Sequence, residues 1–238
     1  MRKILVVCAL ILICQQITAQ KQVDNQNNSW WTYSGNHEVS KKISIHTLYS
    51  WRRNNFVQNW QQSLLRLGIN YHIDKRLIFT GGYDYVVTFP YGKQPISKET
   101  TEQRIFEQFI LKNQVGRVYF LHRYKLEQRF IGFGNTQKYR NRMRYRLAFS
   151  IPLNHKKMED KTFFAYVYDE LFISFGNGVI RNFNQNWEAF GIGYKVNKKL
   201  SFKIGYKNQY LPKSDGIRIE NNHTLEVGIG YSYKRNEK

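Results

Sequence analysis

Asn141-Arg142-Met143-Arg144-Tyr145-Arg146-Leu147-Ala148-Phe149-Ser150-Ile151 decides the fold. Its odd positions are Asn141, Met143, Tyr145, Leu147, Phe149 and Ile151. Its even positions, with the preceding residue added, are Arg140, Arg142, Arg144, Arg146, Ala148 and Ser150. Side chains alternate sides along a β-strand, so this segment has one largely apolar, aromatic face and one ionic face. No helical period sorts these residues so cleanly.

The same period of two extends in both directions. Leu65, Leu67, Ile69, Tyr71 and Ile73 oppose Leu64, Arg66, Gly68, Asn70 and His72. Tyr83, Tyr85 and Val87 oppose Gly82, Asp84 and Val86; Phe202, Ile204 and Tyr206 oppose Lys203, Gly205 and Lys207; Leu225, Val227 and Ile229 oppose Glu226, Gly228 and Gly230. Eleven segments read this way: 29–39, 42–53, 59–73, 76–89, 102–113, 117–131, 139–152, 162–174, 185–196, 199–211 and 221–233. Most exceed the usual soluble strand of about 5–6 residues and match a tilted membrane-crossing strand of about 9–11. Short links near 40–41, 74–75, 114–115 and 197–198 alternate with longer ones at 54–58, 90–101, 132–138, 175–184 and 212–220. Short turns at one end and long loops at the other mark an outer-membrane barrel. The link 153–161 is long where a short one is expected. A soluble sandwich or lipocalin-like barrel would have shorter strands and a less regular charged face. The expected fold is therefore all-β, an antiparallel up-and-down transmembrane β-barrel of 10 to 12 strands. An even count is usual. Ten strands would span 42–233 and leave 29–39 inside or against the barrel; pairing 29–39 with an extra strand in 20–28 would give twelve.

The 238 residues include 37 Lys+Arg, 17 Asp+Glu and 2 Cys, with a net charge of +20 and 16% aromatics. Mean hydropathy of -0.59 is too polar for a bundle of membrane helices, and the aromatic content is too high for a disordered chain. Met1-Arg2-Lys3, the apolar run Ile4 to Cys14, and Ile17-Thr18-Ala19 have the layout of a secretory signal, with cleavage expected after Ala19. The expected division is a signal peptide at 1–19 and a single barrel domain at 20–238. Both cysteines would leave with the signal, and so would Arg2 and Lys3, lowering the net charge to +18. An exported chain without thiols excludes cysteine-based metal sites and cysteine nucleophiles. The expected location is the cell outer membrane.

Several motifs resemble those of an uncharacterised family of envelope β-barrels, domain of unknown function 2490. They are Arg104-Ile105-Phe106-Glu107-Gln108-Phe109, His122-Arg123-Tyr124-Lys125-Leu126-Glu127-Gln128-Arg129-Phe130 and Asn141-Arg142-Met143-Arg144-Tyr145-Arg146-Leu147. Trp30-Trp31, Tyr168-Asp169-Glu170-Leu171-Phe172 and Asn186 before Gly191-Ile192-Gly193-Tyr194 extend the resemblance over nearly the whole mature chain. The resemblance implies an outer-membrane barrel and no particular activity. The tail departs from the usual aromatic ending of such barrels, continuing past Tyr233 with Lys234-Arg235-Asn236-Glu237-Lys238.

If the arginines of 140–146 face inward, so do Arg123, Lys125, Glu127 and Arg129 on the strand before. Stacked like charges repel, so carboxylates must lie near, and Glu107 and Glu170 on the flanking strands are the candidates. The expected interior network is thus Glu107, Arg123, Lys125, Glu127, Arg129, Arg140, Arg142, Arg144, Arg146 and Glu170. It would act as a polar plug in a narrow barrel, with an anion or small-solute channel as the alternative. Adjacent Asp169 and Glu170 must point to opposite faces; with Glu170 inside, Asp169 needs the headgroup level or a bulge. A lipid-modifying enzyme is the second alternative, with His46 beside Ser44 or Ser50, or His122 beside a neighbouring acid, as weak candidates. No catalytic set, metal site or cofactor is expected. The expected partners are outer-membrane lipids, including lipopolysaccharide phosphates, and the barrel assembly machinery. Export argues against the nucleic-acid partner that charge alone would suggest.

Overall fold

The computed structural model describes residues 21–92, 98–133 and 136–235. The expected signal peptide, 1–19, lies outside the described residues. Eleven strands make up the described chain: β1 (Gln22–Glu38), β2 (Ile43–Asn54), β3 (Asn59–His72), β4 (Leu77–Thr88), β5 (Thr100–Val115), β6 (Val118–Phe133), β7 (Thr136–Pro152), β8 (Thr162–Phe175), β9 (Phe183–Lys195), β10 (Leu200–Pro212) and β11 (Arg218–Tyr233). Each strand pairs with its neighbours in sequence, and β1 pairs with β11 to close a barrel. No strand edge is left open, which removes the usual template for aggregation.

Eleven lies within the range of ten to twelve, but the closure differs from either expected even count. A closed ring of strands that alternate up and down must contain one parallel pair when the number is odd. That pair is β1 and β11, in register from Gln22↔Arg218 to His37↔Tyr233. The segment 29–39 neither lies inside the barrel nor pairs with a separate strand. It is part of a 17-residue strand in the wall, bonded to β11 on one side and β2 on the other. Its alternation shows why it fits there: Trp30 is buried in the interior while Trp31 and Tyr33 are exposed outside.

The chain crosses back at one end through short turns, helped by side chains that bond backbone N–H groups. Asp74 Oδ1 accepts from Arg76 N at 2.6 Å and Leu77 N at 2.7 Å, which holds its carboxyl below the ordinary value. Asn197 Oδ1 accepts from Lys199 N and Leu200 N at 2.8 and 2.9 Å. Gly116, at φ 57°, makes the tight β5–β6 turn. At the other end, the β10–β11 loop is held by Asp215, whose carboxylate accepts from the N–H groups of Ile217 and Arg218 and from the Arg218 side chain. These bonds lower its pKa to about 2. The long 153–161 link folds back at the turn end: Met158 N donates to Tyr119 Oη at 3.0 Å, and Met158 packs on buried Phe164, Tyr166, Tyr168 and Ala189. The link expected at 132–138 is shorter than its sequence suggests, because β6 and β7 pair out to Phe133↔Thr136.

Polarity is inverted relative to a water-soluble barrel. Leu65, Leu67 and Ile69 on β3 are 56–61% exposed, while Asp84, Glu127 and Glu170 have no exposed surface. Only closure by β1 brings Thr32 and Gly228 into register across the parallel seam, where a Cβ at 228 would make only ordinary contacts, 3.7 Å to Lys203 Cβ and 3.9 Å to the Thr32 carbonyl oxygen. A Thr32→Cys, Gly228→Cys pair, in a background with Cys8 and Cys14 replaced by Ser, should form a disulfide that titrates as loss of both free thiols. Two free thiols in the folded protein would refute this closure.

Candidate functional site

Cross-strand register builds the interior. Residues directly opposite one another share a face, so Arg66 faces Asp84, Asp84 faces Arg104, Glu127 faces Arg142, and Arg146 faces Glu170. Arg104↔Arg129, Lys125↔Arg144 and Arg123↔Arg146 are like-charged opposites. Their repulsion is relieved by acids reached diagonally or two residues along the strand. Glu170 receives Arg123 at 2.6 Å, Arg144 at 2.7 Å and Arg146 at 2.5 Å. Glu127 receives Arg142 at 2.6 Å, Arg144 at 2.9 Å and Lys125 at 3.1 Å. Asp84 takes a two-pronged bond from Arg66, at 2.6 and 2.8 Å, and Lys125 at 3.2 Å. Glu102 takes a second fork from Arg104, at 2.6 and 2.9 Å, and is also bonded by Arg129. Lys125 and Arg144 each bridge two acids, so one continuous lattice runs from β3 to β8. Removing so many charges from water is tolerable only because each acid is shared among several donors.

Aromatic rings hold cations where acids are fewer. Trp30, Phe172 and Trp187 form a buried cluster from β1 to β8 and β9. The Arg52 guanidinium lies 3.8 Å from the Trp30 ring centre, Lys207 Nζ 4.2 Å from the same ring, and Arg144 4.3 Å above Phe172. Lys125 Nζ sits 3.8 Å from the Phe106 ring, which lies over Gly82; a Cβ there would meet that ring at 2.6 Å. Lys207 also pairs with Glu226. Arg52 bonds Ser50 and Gln62 and pairs with no carboxylate among the described residues.

Cavities remain beside the lattice. One of about 420 Å³ lies toward the loop end and one of about 690 Å³ toward the turn end. They share Thr32, Leu48, Arg66, Arg123, Arg146 and Glu226 as lining.

The structure brings together Arg123, Lys125, Glu127, Arg129, Arg142, Arg144, Arg146 and Glu170. It does not bring in Glu107 or Arg140. Glu107 faces outward, opposite Leu126, and accepts a bond from Gln128 Nε2 at 3.1 Å. The correction follows from parity: Ile105 and Phe109, two residues to either side, lie on the exposed outer face, whereas Glu102, Arg104 and Phe106 are buried inside. Arg140 has inward parity but sits at the loop end, where it donates to the carbonyls of Asn177 and Gly178 at 3.0 Å each and, among the described residues, to no carboxylate. Asp169 points outward and accepts from Asn186 Nδ2 at 2.7 Å, without a bulge at that position. Sequence reasoning overlooked Asp84, Glu102, Arg104, Arg66, Arg52, Lys207 and Glu226. The signal was present in the alternation, which sets Arg66 and Asp84 on the polar faces of neighbouring strands.

The serine–histidine candidates do not form a catalytic set. Ser44 Oγ lies 2.8 Å from His72 Nε2 rather than on His46, donates to Asn36 Oδ1, and has no exposed surface from which to attack a substrate. His46 contacts the Gly35 carbonyl oxygen, and His122 the Tyr145 hydroxyl on the outer wall. Among the described residues no group of His, Cys, Asp and Glu is arranged to hold a metal ion.

Fold and interior together define a closed β-barrel with an ionic and aromatic filling. The family model described as "Protein of unknown function (DUF2490)" matches residues 27–221, and the chain belongs to that family. No curated protein matches it.

Glu170 is the acid on which most depends. Glu170→Gln should destabilise the detergent-purified barrel by about 3–5 kcal/mol, because three arginines lose their shared anion. Glu107→Gln should stay within about 0.5 kcal/mol. Guanidinium unfolding followed by tryptophan fluorescence distinguishes the two; equal effects would refute the inward lattice.

Proposed function

We propose that this chain is an outer-membrane β-barrel, exported by residues 1–19, whose basic interior is a side-chain plug rather than an open pore. The observation that carries the reading is the inverted polarity: an apolar, aromatic exterior around fully buried carboxylates. A soluble barrel has no reason to expose an apolar face on almost every strand. Strand length agrees. The strands run from 12 to 17 residues. At about 3.3 Å per residue and a tilt of about 40°, even the shortest rises about 30 Å, the thickness of a hydrocarbon core.

The outer wall also carries an interface-like aromatic group toward the loop end. Trp51 and Trp60 are 6.0 Å apart, Trp60 and Phe89 5.2 Å, and the half-buried Arg53 lies over both tryptophan rings. Tryptophan at headgroup depth with an arginine beside it suits contact with lipid phosphates, including those of lipopolysaccharide. The plug reading rests on the lattice from β3 to β8 and the Trp30, Phe172 and Trp187 cluster from β1, which together reach across the interior. On this reading the protein acts through its rim and outer wall, as a structural or interaction barrel inserted by the assembly machinery.

The conducting alternative rests on the surplus of cations around the cavities and differs in one observable. The expected result is outer-membrane fractionation, faster gel migration unheated than boiled, and no open-channel steps in planar bilayers at any voltage. A soluble, heat-indifferent protein would overturn the membrane reading, and anion-selective steps would overturn the plug.

A further inference from the structure

We infer that the loop-end cavity is a binding site for a phosphorylated sugar. Three features of the same space point there. The first is charge. Nine arginine and lysine side chains line the 420 Å³ cavity, against two carboxylates, Glu102 and Glu226. The remaining acids of the lattice, Asp84, Glu127 and Glu170, stand behind the guanidiniums with no exposed surface. The surface presented to a ligand is therefore cationic, and guanidiniums at a concave wall suit phosphate.

The second is Arg52. It is anchored by Ser50, Gln62 and the face of Trp30, and it pairs with no carboxylate among the described residues. Its charge is held in position and unspent.

The third is a set of acceptors without donors. Asn222 is 1% exposed and Gln209 3%, both line this cavity, and Asn222 Oδ1 and Gln209 Oε1 have no hydrogen-bond partner among the described residues. The Asn222 amide is oriented by its nitrogen, which donates to Glu220 Oε1 at 2.7 Å, so its oxygen is the free end. Buried carbonyl oxygens beside a cationic wall call for a ligand that brings both an anion and hydroxyl donors. Inorganic anions lack the hydroxyl array and neutral sugars lack the charge. The volume is that of a small-molecule site.

The inference does not depend on membrane location, because it can be tested on the full barrel in detergent. Trp30 and Trp187 line the cavity, so tryptophan fluorescence reports occupancy. Glucose 6-phosphate should quench it saturably, inorganic phosphate should bind at least about tenfold more weakly, and glucose should not bind. Arg52→Gln should weaken glucose 6-phosphate about tenfold. Gln209→Leu should bring its affinity down toward that of inorganic phosphate. Arg140→Gln, outside the cavity, should change nothing. Dispersed lipopolysaccharide tests the source: if it binds and the free sugar phosphate does not, the phosphorylated sugar is that of a lipid headgroup. A barrel that keeps its heat-modifiable migration and binds neither overturns the site alone. So does equal affinity for glucose 6-phosphate and glucose or inorganic phosphate, or unchanged binding by both cavity variants.

Discussion

A carboxylate without exposed surface must be paired or give up its charge, and the interior is organised around three that are paired. Asp84, Glu127 and Glu170 lie on β4, β6 and β8, and the cations they need come from β3, β5, β6 and β7. Because Lys125 and Arg144 each serve two acids, the strands are tied through side chains as well as through the backbone. A one-residue slip would send a whole strand's charges to the outer face. The lattice therefore fixes register as much as it fills space.

The other side of the interior solves the same problem with less anion. Arg52 and Lys207 sit on opposite sides of the seam and meet at Trp30, whose indole N–H is itself held by Gln61 at 2.7 Å. The ring's electron-rich faces take the place of a carboxylate at lower desolvation cost. The asymmetry leaves free space beside the loop-end cations.

The period of two made the fold legible from sequence: strand number within one, inward arginines on β7 and inward charges on β6 all follow from which residues share a face. Two things did not follow. Counterions are chosen by register and diagonal reach. Glu107 and Glu102 lie on the same strand, and only parity against Ile105 and Phe109 separates the outward acid from the inward one. Closure was also hidden, since a parallel partner leaves no turn between its strands. Gln22 and Arg218 meet although almost the whole barrel lies between them in sequence. The contact of Lys207 on β10 with Trp30 crosses the same seam and is equally non-local, so no spacing could announce it, whereas Arg52 meets Trp30 as its direct opposite on the neighbouring strand.

The parallel seam has a consequence for how such a barrel can change size. Barrels gain or lose wall most simply by whole hairpins, two strands at a time. Either step keeps an odd count odd. The junction of β1 with β11 would then survive every such expansion or contraction. Only the gain or loss of a lone terminal strand could erase it, and that step would also move one end of the chain to the opposite mouth of the barrel.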